Sequence, residues 1–149
     1  MQNLLRIGQL KAHPPDAAEL QRLLAAVAAR NLAYARNTSI SPETRFDAAY
    51  KAVMQASLCA LMANGYRPDT NRPGHHQTMV QTLGLTIGLA PGRVQVIDTL
   101  RRKRNLADYT GEDIDDSSVG HCIAEAERLL HDAIAWIKAN RSVLLEPLQ

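Results

Sequence analysis

The stretch RRKRNLADYTG, residues 101–111, holds the side chains whose types and spacing best suit chemistry on a phosphate. An arginine guanidinium binds phosphate oxygens through charge-assisted hydrogen bonds. A carboxylate such as Asp108 can accept a proton, and a phenol such as Tyr109 can donate one. The residues before this stretch predict that it forms the last turns of a helix. It is therefore either a solvated basic helix end or a site.

The helical period separates the four basic residues. At about 100° per residue, one stripe of the predicted helix contains Val94, Ile97 and Leu100. Arg104 continues the centre of this stripe and Arg101 lies on its edge, whereas Arg102 and Lys103 point toward water. An unpaired guanidinium in an apolar interior costs several kcal/mol. Arg104 therefore needs a carboxylate such as Asp108 four residues on, an interface, or a ligand phosphate.

A structural role for Arg104 is the alternative. The dipole of a helix favours arginine near its C-terminus, and the long side chain can extend to solvent. Structural arginines paired with carboxylates are also common. Periodicity alone leaves both interpretations open.

Other kinds of site find no support in the sequence. No HExxH, CxxC or aspartate-rich loop is present, and His121 and His131 are too far out of phase to share a helix face. His75 and His76 lie in a segment rich in proline and glycine. There is also no glycine-rich phosphate loop and no recognisable Ser/His/Asp arrangement. We therefore predict no metal and no other cofactor.

Composition predicts one domain, residues 1–149, with residues 1–15 as an N-terminal extension. The net charge of +2 is too small for a protein that coats nucleic acid, so any contact with RNA or DNA would be local. Cys59 and Cys122 stand among apolar residues and are expected to be reduced and buried. No apolar run is long enough to span a membrane and no secretion signal is apparent, which predicts a cytoplasmic protein.

Helix start and stop residues divide the chain into four substantial helices and a short one. They are a helix capped by Asp16, a helix from the N-cap Ser41 to Gly65, a short helix over 77–83, a helix from Arg93 into the basic run, and a last helix capped by Asp116 or Ser117. Residues 66–76 are expected to be a loop, and no segment has the alternation of a strand. The predicted fold is all-α, an up-and-down bundle.

Three segments resemble the HEPN family (higher eukaryotes and prokaryotes nucleotide-binding). They are RFDAAYKAVMQASLCALMANGYRP, PGHHQTMVQTL and LRRKRNLADYTG, and the resemblance runs from about Thr44 to Leu130. It implies a helical bundle, commonly a homodimer, and many family members are metal-independent ribonucleases. The family signature is an arginine, often a polar residue after it, and a histidine a few positions later. Arg104 and Asn105 match the first two, and Tyr109 stands in place of the histidine.

The resemblance leads to two functional hypotheses. In the first, the chain is a nucleotide- or RNA-binding module, or the partner of a nucleotidyltransferase, with little or no catalysis. In the second, it is an endoribonuclease of toxin type, with Arg104, Asn105, Asp108 and Tyr109 at a dimer cleft. Tyrosine is a poor base at neutral pH, and Asp108 loses basicity if it pairs with Arg104. We therefore favour the module.

Overall fold

The computed structural model describes residues 1–148, and 72% of the structure is helical, which confirms the all-α class. Short strands, a π-helical stretch and a 3₁₀ turn accompany the α-helices. In chain order the elements are α1 (Gln2–Arg6), β1 (Leu10–Ala12), α2 (Ala17–Ala25), the π-helix (Ala26–Leu32), α3 (Ala33–Ala35), α4 (Pro42–Ala63), β2 (Tyr66–Pro68), α5 (His75–Gln81), α6 (Leu83–Thr86), α7 (Pro91–Thr110), α8 (Asp116–Asn140) and the 3₁₀ turn (Ser142–Leu145).

Helix α4 lies at the centre of the fold. It packs most extensively against α8 and also contacts α2, the π-helix, α5 and α7. Small side chains allow this close approach, because none of the surface of Ala49, Ala52, Ala56 or Ala60 is exposed. A helix that is apolar around most of its circumference is stable only when neighbours surround it.

Most predicted helix ends are found in the structure. The side chain of Asp16 accepts a hydrogen bond from the backbone N–H of Glu19, and that of Ser41 accepts one from Thr44. Gly65 has the positive φ of 88° expected after the end of α4. The prediction for α8 was one or two residues too late, because the cap is Asp115, whose carboxylate accepts from Ser118 N–H. A run of Asp and Ser residues offers several adjacent caps.

The prediction that the chain has no strand was wrong. Strands β1 and β2 pair antiparallel, with Lys11 opposite Arg67, so part of the predicted loop and of the N-terminal extension form a two-stranded ribbon. Three-residue strands are too short to show an alternating pattern. The extension is also packed, since Leu10 is buried and Leu4 and Leu5 lie against the core.

Two other helices differ from the prediction in their bounds. The short helix predicted over 77–83 begins at His75 and is followed by a separate turn, α6. Helix α7 begins at Pro91 rather than Arg93, because proline fits the first position of a helix, where no N–H is needed.

A π-helical stretch, Ala26–Leu32, interrupts what the sequence predicts as one regular helix. Its wider turn changes the direction in which the following side chains point. Asn31 is buried as a result, with 8% of its surface exposed.

Both cysteines are free and buried, as predicted. Burial raises the pKa of the Cys59 thiol and that of the Cys122 thiol to about 12. Both thiols are therefore neutral at physiological pH and act as small apolar core groups. Within residues 1–148, no helix has both the length and the apolar character needed to cross a membrane.

Candidate functional site

Arg104 projects from the inward side of α7, as the helical period predicts. One third of its side chain is exposed, against 71% for Arg102, and Lys103 is exposed as well. Arg101 is the least exposed of the four, with 15% of its side chain exposed, and it pairs with Asp98. The basic run is thus divided into a solvated part, Arg102 and Lys103, and two inward-facing arginines, of which Arg101 is paired with Asp98.

Two carboxylates hold Arg104 in place. Its Nε lies 3.1 Å from Asp108 Oδ2, the predicted partner four residues on, and 3.7 Å from Asp47 Oδ1 on α4. The same Nε is buried and has no hydrogen-bond partner in the part of the chain that the structure describes. The carboxylates therefore act on Arg104 through charge, and its hydrogen-bonding capacity is not fully used.

Tyr50 supports the guanidinium from α4. The Cζ atom of Arg104 lies 5.3 Å from the centre of the Tyr50 ring, within the range of a cation–π contact. Burial raises the pKa of the Tyr50 hydroxyl to about 12, although Arg104 opposes this change. Tyr50 is therefore a neutral phenol that keeps its proton.

His76 on α5 completes this cluster. Its Nδ1 lies 3.1 Å from the Tyr50 hydroxyl oxygen, and the His75 ring packs edge-on against it with 4.6 Å between ring centres. Burial lowers the pKa of His76, and the neighbouring His75, Arg104 and Arg101 lower it further. The imidazole is therefore neutral at pH 7 and can either accept or donate a hydrogen bond.

These side chains line a cleft of about 400 Å³ between α4, α5 and α7, which we name the Arg104 cleft. Its apolar part consists of Met54, Leu58 and Met79, and Lys51 and Gln55 form one rim. Its full lining is Asp47, Tyr50, Lys51, Met54, Gln55, Leu58, His76, Met79 and Arg104. This size and this mixture of apolar and polar groups are typical of small-molecule sites.

A smaller cleft of about 200 Å³ lies on the other side of Arg104. It is acidic, because Glu43, Glu112 and Asp113 join Asp47 and Asp108 in its lining. Burial raises the pKa of Asp47, with Arg104 opposing and Asp108 adding to that change. Arg104 thus separates an acidic cleft from one with an apolar floor.

The predicted site residues are only partly brought together. Asp108 adjoins Arg104, but Asn105 is exposed and Tyr109 is 94% exposed. Five residues advance a helix by about 140° beyond a full turn, so Tyr109 cannot share the direction of Arg104. Within one chain, the tyrosine that contacts Arg104 is Tyr50, and the histidine beside it is His76.

Sequence reasoning did not identify Asp47, Tyr50 or His76 as site residues. Tyr50 stands in an apolar helix and looks like a core residue, and His76 stands in a segment that the sequence predicts to be a loop. In residues 1–148, no group of three or more His, Cys, Asp or Glu side chains is arranged to hold a metal ion. The sequence signal for the partner of Arg104 on α4 is weak. Asp47 is an acidic residue of that helix, and such a residue can pair with an arginine on a neighbouring helix.

The lowered pKa of His76 predicts a specific pH dependence of stability. The unfolded histidine, with a pKa near 6.5, takes up a proton more readily than the folded one. The free energy of unfolding should therefore be fully retained above pH 6.5 and should fall as the pH drops below it. Urea unfolding between pH 7.5 and 5.0 measures this fall, which should be smaller in His76→Gln. Parallel curves for the two proteins would contradict the prediction.

Comparison of the chain with models of protein families, with curated proteins and with solved structures finds no match.

Proposed function

We propose that this chain is a HEPN-like helical module that binds a nucleotide or a short stretch of RNA in the Arg104 cleft. The observation that carries the proposal is the state of Arg104. It is a guanidinium held by two carboxylates and an aromatic ring at the head of a cleft with an apolar floor, and one third of its side chain is exposed, so a ligand can reach it.

The charges around the cleft are compatible with a phosphate at Arg104. Guanidinium and phosphate form stronger hydrogen bonds than neutral pairs do, and Lys51 on the rim adds a second cation. The negative charges of Asp47 and Asp108 would repel an anion. The raised pKa of Asp47 reduces the free energy needed to protonate this carboxylate when a phosphate binds. Met54, Leu58 and Met79 provide apolar surface against which a base can pack.

Direct titration tests the proposal. Calorimetry with nucleoside monophosphates, and fluorescence anisotropy with a labelled short single-stranded RNA, should both give saturable binding with a Kd below about 1 mM. Binding should weaken as salt concentration rises, because phosphate contacts release counterions. Absence of saturable binding by either method at low salt would contradict the proposal.

A metal-independent endoribonuclease is the second candidate, and His76 is the observation that favours it. With Nδ1–H donating to the Tyr50 oxygen, Nε2, which has no hydrogen bond within residues 1–148, could take the proton of a ribose 2′-hydroxyl. The 2′-oxygen would then bond to phosphorus, the P–O5′ bond would break, and water would protonate the leaving oxygen. Arg104 would stabilise the charge of the phosphorane.

Cleavage of an end-labelled RNA pool without metal distinguishes the enzyme from the module. A ribonuclease should lose its activity in Arg104→Ala. If all the reacting groups belong to one chain, and not to a cleft shared by two copies, Tyr109→Phe should leave cleavage unchanged. Intact RNA after prolonged incubation with wild-type protein would contradict the ribonuclease and leave binding as the activity.

We further propose that the helices form the up-and-down bundle of the HEPN family and that two copies associate through the outward face of α7. This face carries Leu106 and Tyr109, which are 54% and 94% exposed. Apolar side chains exposed side by side are typical of contact surfaces. A second copy would bring Asn105 and Tyr109 toward a shared cleft, and a nucleotidyltransferase is the alternative partner.

Sedimentation velocity at micromolar concentration checks the homodimer. Wild-type protein should sediment as a dimer, and Leu106→Asp should shift it to a monomer because a buried carboxylate costs free energy at the interface. Leu85→Asp is the control, since Leu85 is 64% exposed but lies on a different helix, α6. A monomeric wild type would contradict the dimer.

A further inference from the structure

Asn31 and Gln55 form a contact that links the π-helix to the Arg104 cleft. The Nδ2 of Asn31 donates a hydrogen bond of 2.6 Å to the Oε1 of Gln55. Asn31 is buried, and Gln55 lies on the rim of the cleft. A buried amide without a partner is costly, so this bond ties the orientation of the Gln55 amide to that of Asn31.

The orientation of Asn31 therefore sets which end of the Gln55 amide is available to a ligand. Oε1 accepts from Asn31, and the NH₂ group remains to donate into the cleft. The wider turn of the π-helix brings Asn31 into this position, and interruptions of this kind are frequent at functional sites.

The position of Gln55 matches that of a base edge. Gln55 is five residues beyond Tyr50, about 7.5 Å of helix rise and 140° of rotation, so the two side chains lie at opposite edges of the cleft lining. A nucleotide with its phosphate at Arg104 can span this separation and place its base on Met54, Leu58 and Met79. The edge of that base would then meet the Gln55 amide.

We propose that Asn31 orients Gln55 as a hydrogen-bond donor and that the cleft therefore selects bases with a keto oxygen on this edge, uracil and guanine, over cytosine and adenine. This inference rests on the proposed nucleotide-binding function. Asn31 is a positioning residue that does not touch the ligand, and Gln55 is the residue that contacts the base.

Matched pairs of nucleoside monophosphates test the selection. On this edge, guanosine monophosphate has a keto group at the ring carbon where adenosine monophosphate has an amino group. Uridine and cytidine monophosphates differ in the same way. Calorimetry should show wild-type protein binding the keto member of each pair about tenfold more tightly, because the amino member leaves two donors facing each other. Equal affinities within both pairs, with binding retained, would overturn the inference and leave the proposed function standing. No binding of any of the four would overturn both.

Two substitutions that preserve shape test the roles of the two amides. Gln55→Glu replaces the donor by an acceptor and should reverse the preference toward adenosine and cytidine monophosphates. Asn31→Asp should do the same without altering the contact residue, because aspartate only accepts and Gln55 must then turn its NH₂ toward it. A merely structural role of Asn31 would change affinity for all four ligands equally, and this result would overturn its assignment.

Gln95→Glu is the matched control. Gln95 is exposed on α7 and does not line the cleft. This variant carries the same charge change and should keep the wild-type preference. Thermal unfolding of each variant shows whether it is folded. If Asn31→Asp is not, the reversed preference in Gln55→Glu still decides whether this amide selects the base.

Discussion

Replacing Arg104 by alanine is expected to weaken nucleotide binding by about 10- to 100-fold, the equivalent of losing one charge-assisted contact to a phosphate. Arg104 is the cation at the head of the cleft, and Tyr50 and two carboxylates already hold its guanidinium in place. A preorganised group loses little conformational entropy when the ligand binds, so its removal has a large effect. Calorimetric titration of the wild type and variant with the tightest-binding monophosphate measures the change.

Arg102→Ala is the matched control for this experiment. Arg102 is 71% exposed on the same helix, and Asp98 keeps its contact with Arg101 when Arg102 is removed. The control should change affinity less than threefold. Arg104→Lys should restore only part of the affinity, because lysine lacks the planar fork of the guanidinium. Equal losses in Arg104→Ala and Arg102→Ala would show that only net charge attracts the ligand.

Replacing Phe46 by alanine is expected to lower the free energy of unfolding by about 3–5 kcal/mol. Phe46 is 1% exposed in α4 and belongs to the main core cluster. Its removal leaves a cavity beside the helix that contacts most of the other elements. Urea unfolding followed by circular dichroism measures the loss, and the midpoint should fall with little change in the slope.

Two further variants show whether this loss of stability comes from the buried position of Phe46. Phe46→Leu removes less volume and should cost less than alanine. Leu85→Ala removes an exposed side chain and should change stability by less than about 0.5 kcal/mol. If Phe46→Ala were as mild as Leu85→Ala, Phe46 would not be the core residue that its burial indicates.

The two clefts explain why the Phe46 and Arg104 variants should report different properties. Phe46 lines the smaller, acidic cleft and is absent from the lining of the Arg104 cleft. Phe46→Ala should therefore reduce stability more than it reduces the affinity of the folded protein. Arg104→Ala should have the opposite profile, because its side chain is one third exposed and contributes little apolar burial.

The sequence predicted the helices well where the signals are local. The caps at Asp16 and Ser41 and the glycine after α4 depend on residues within one turn of each helix end. The inward direction of Arg104 and its pairing with Asp108 follow from the helical period alone. The β1–β2 ribbon and the π-helix escaped prediction because neither leaves a periodic pattern in the sequence.

The amino-acid sequence by itself determined the helical class and the presence of an inward-facing arginine near the end of α7. Both depend on residues three to five positions apart, which interact through one helix. The tertiary structure alone decided that Tyr50, His76 and Asp47 are the neighbours of Arg104, and that Tyr109 faces solvent. Those neighbours come from different helices and meet only when α4, α5 and α7 pack together, and no local pattern encodes such packing.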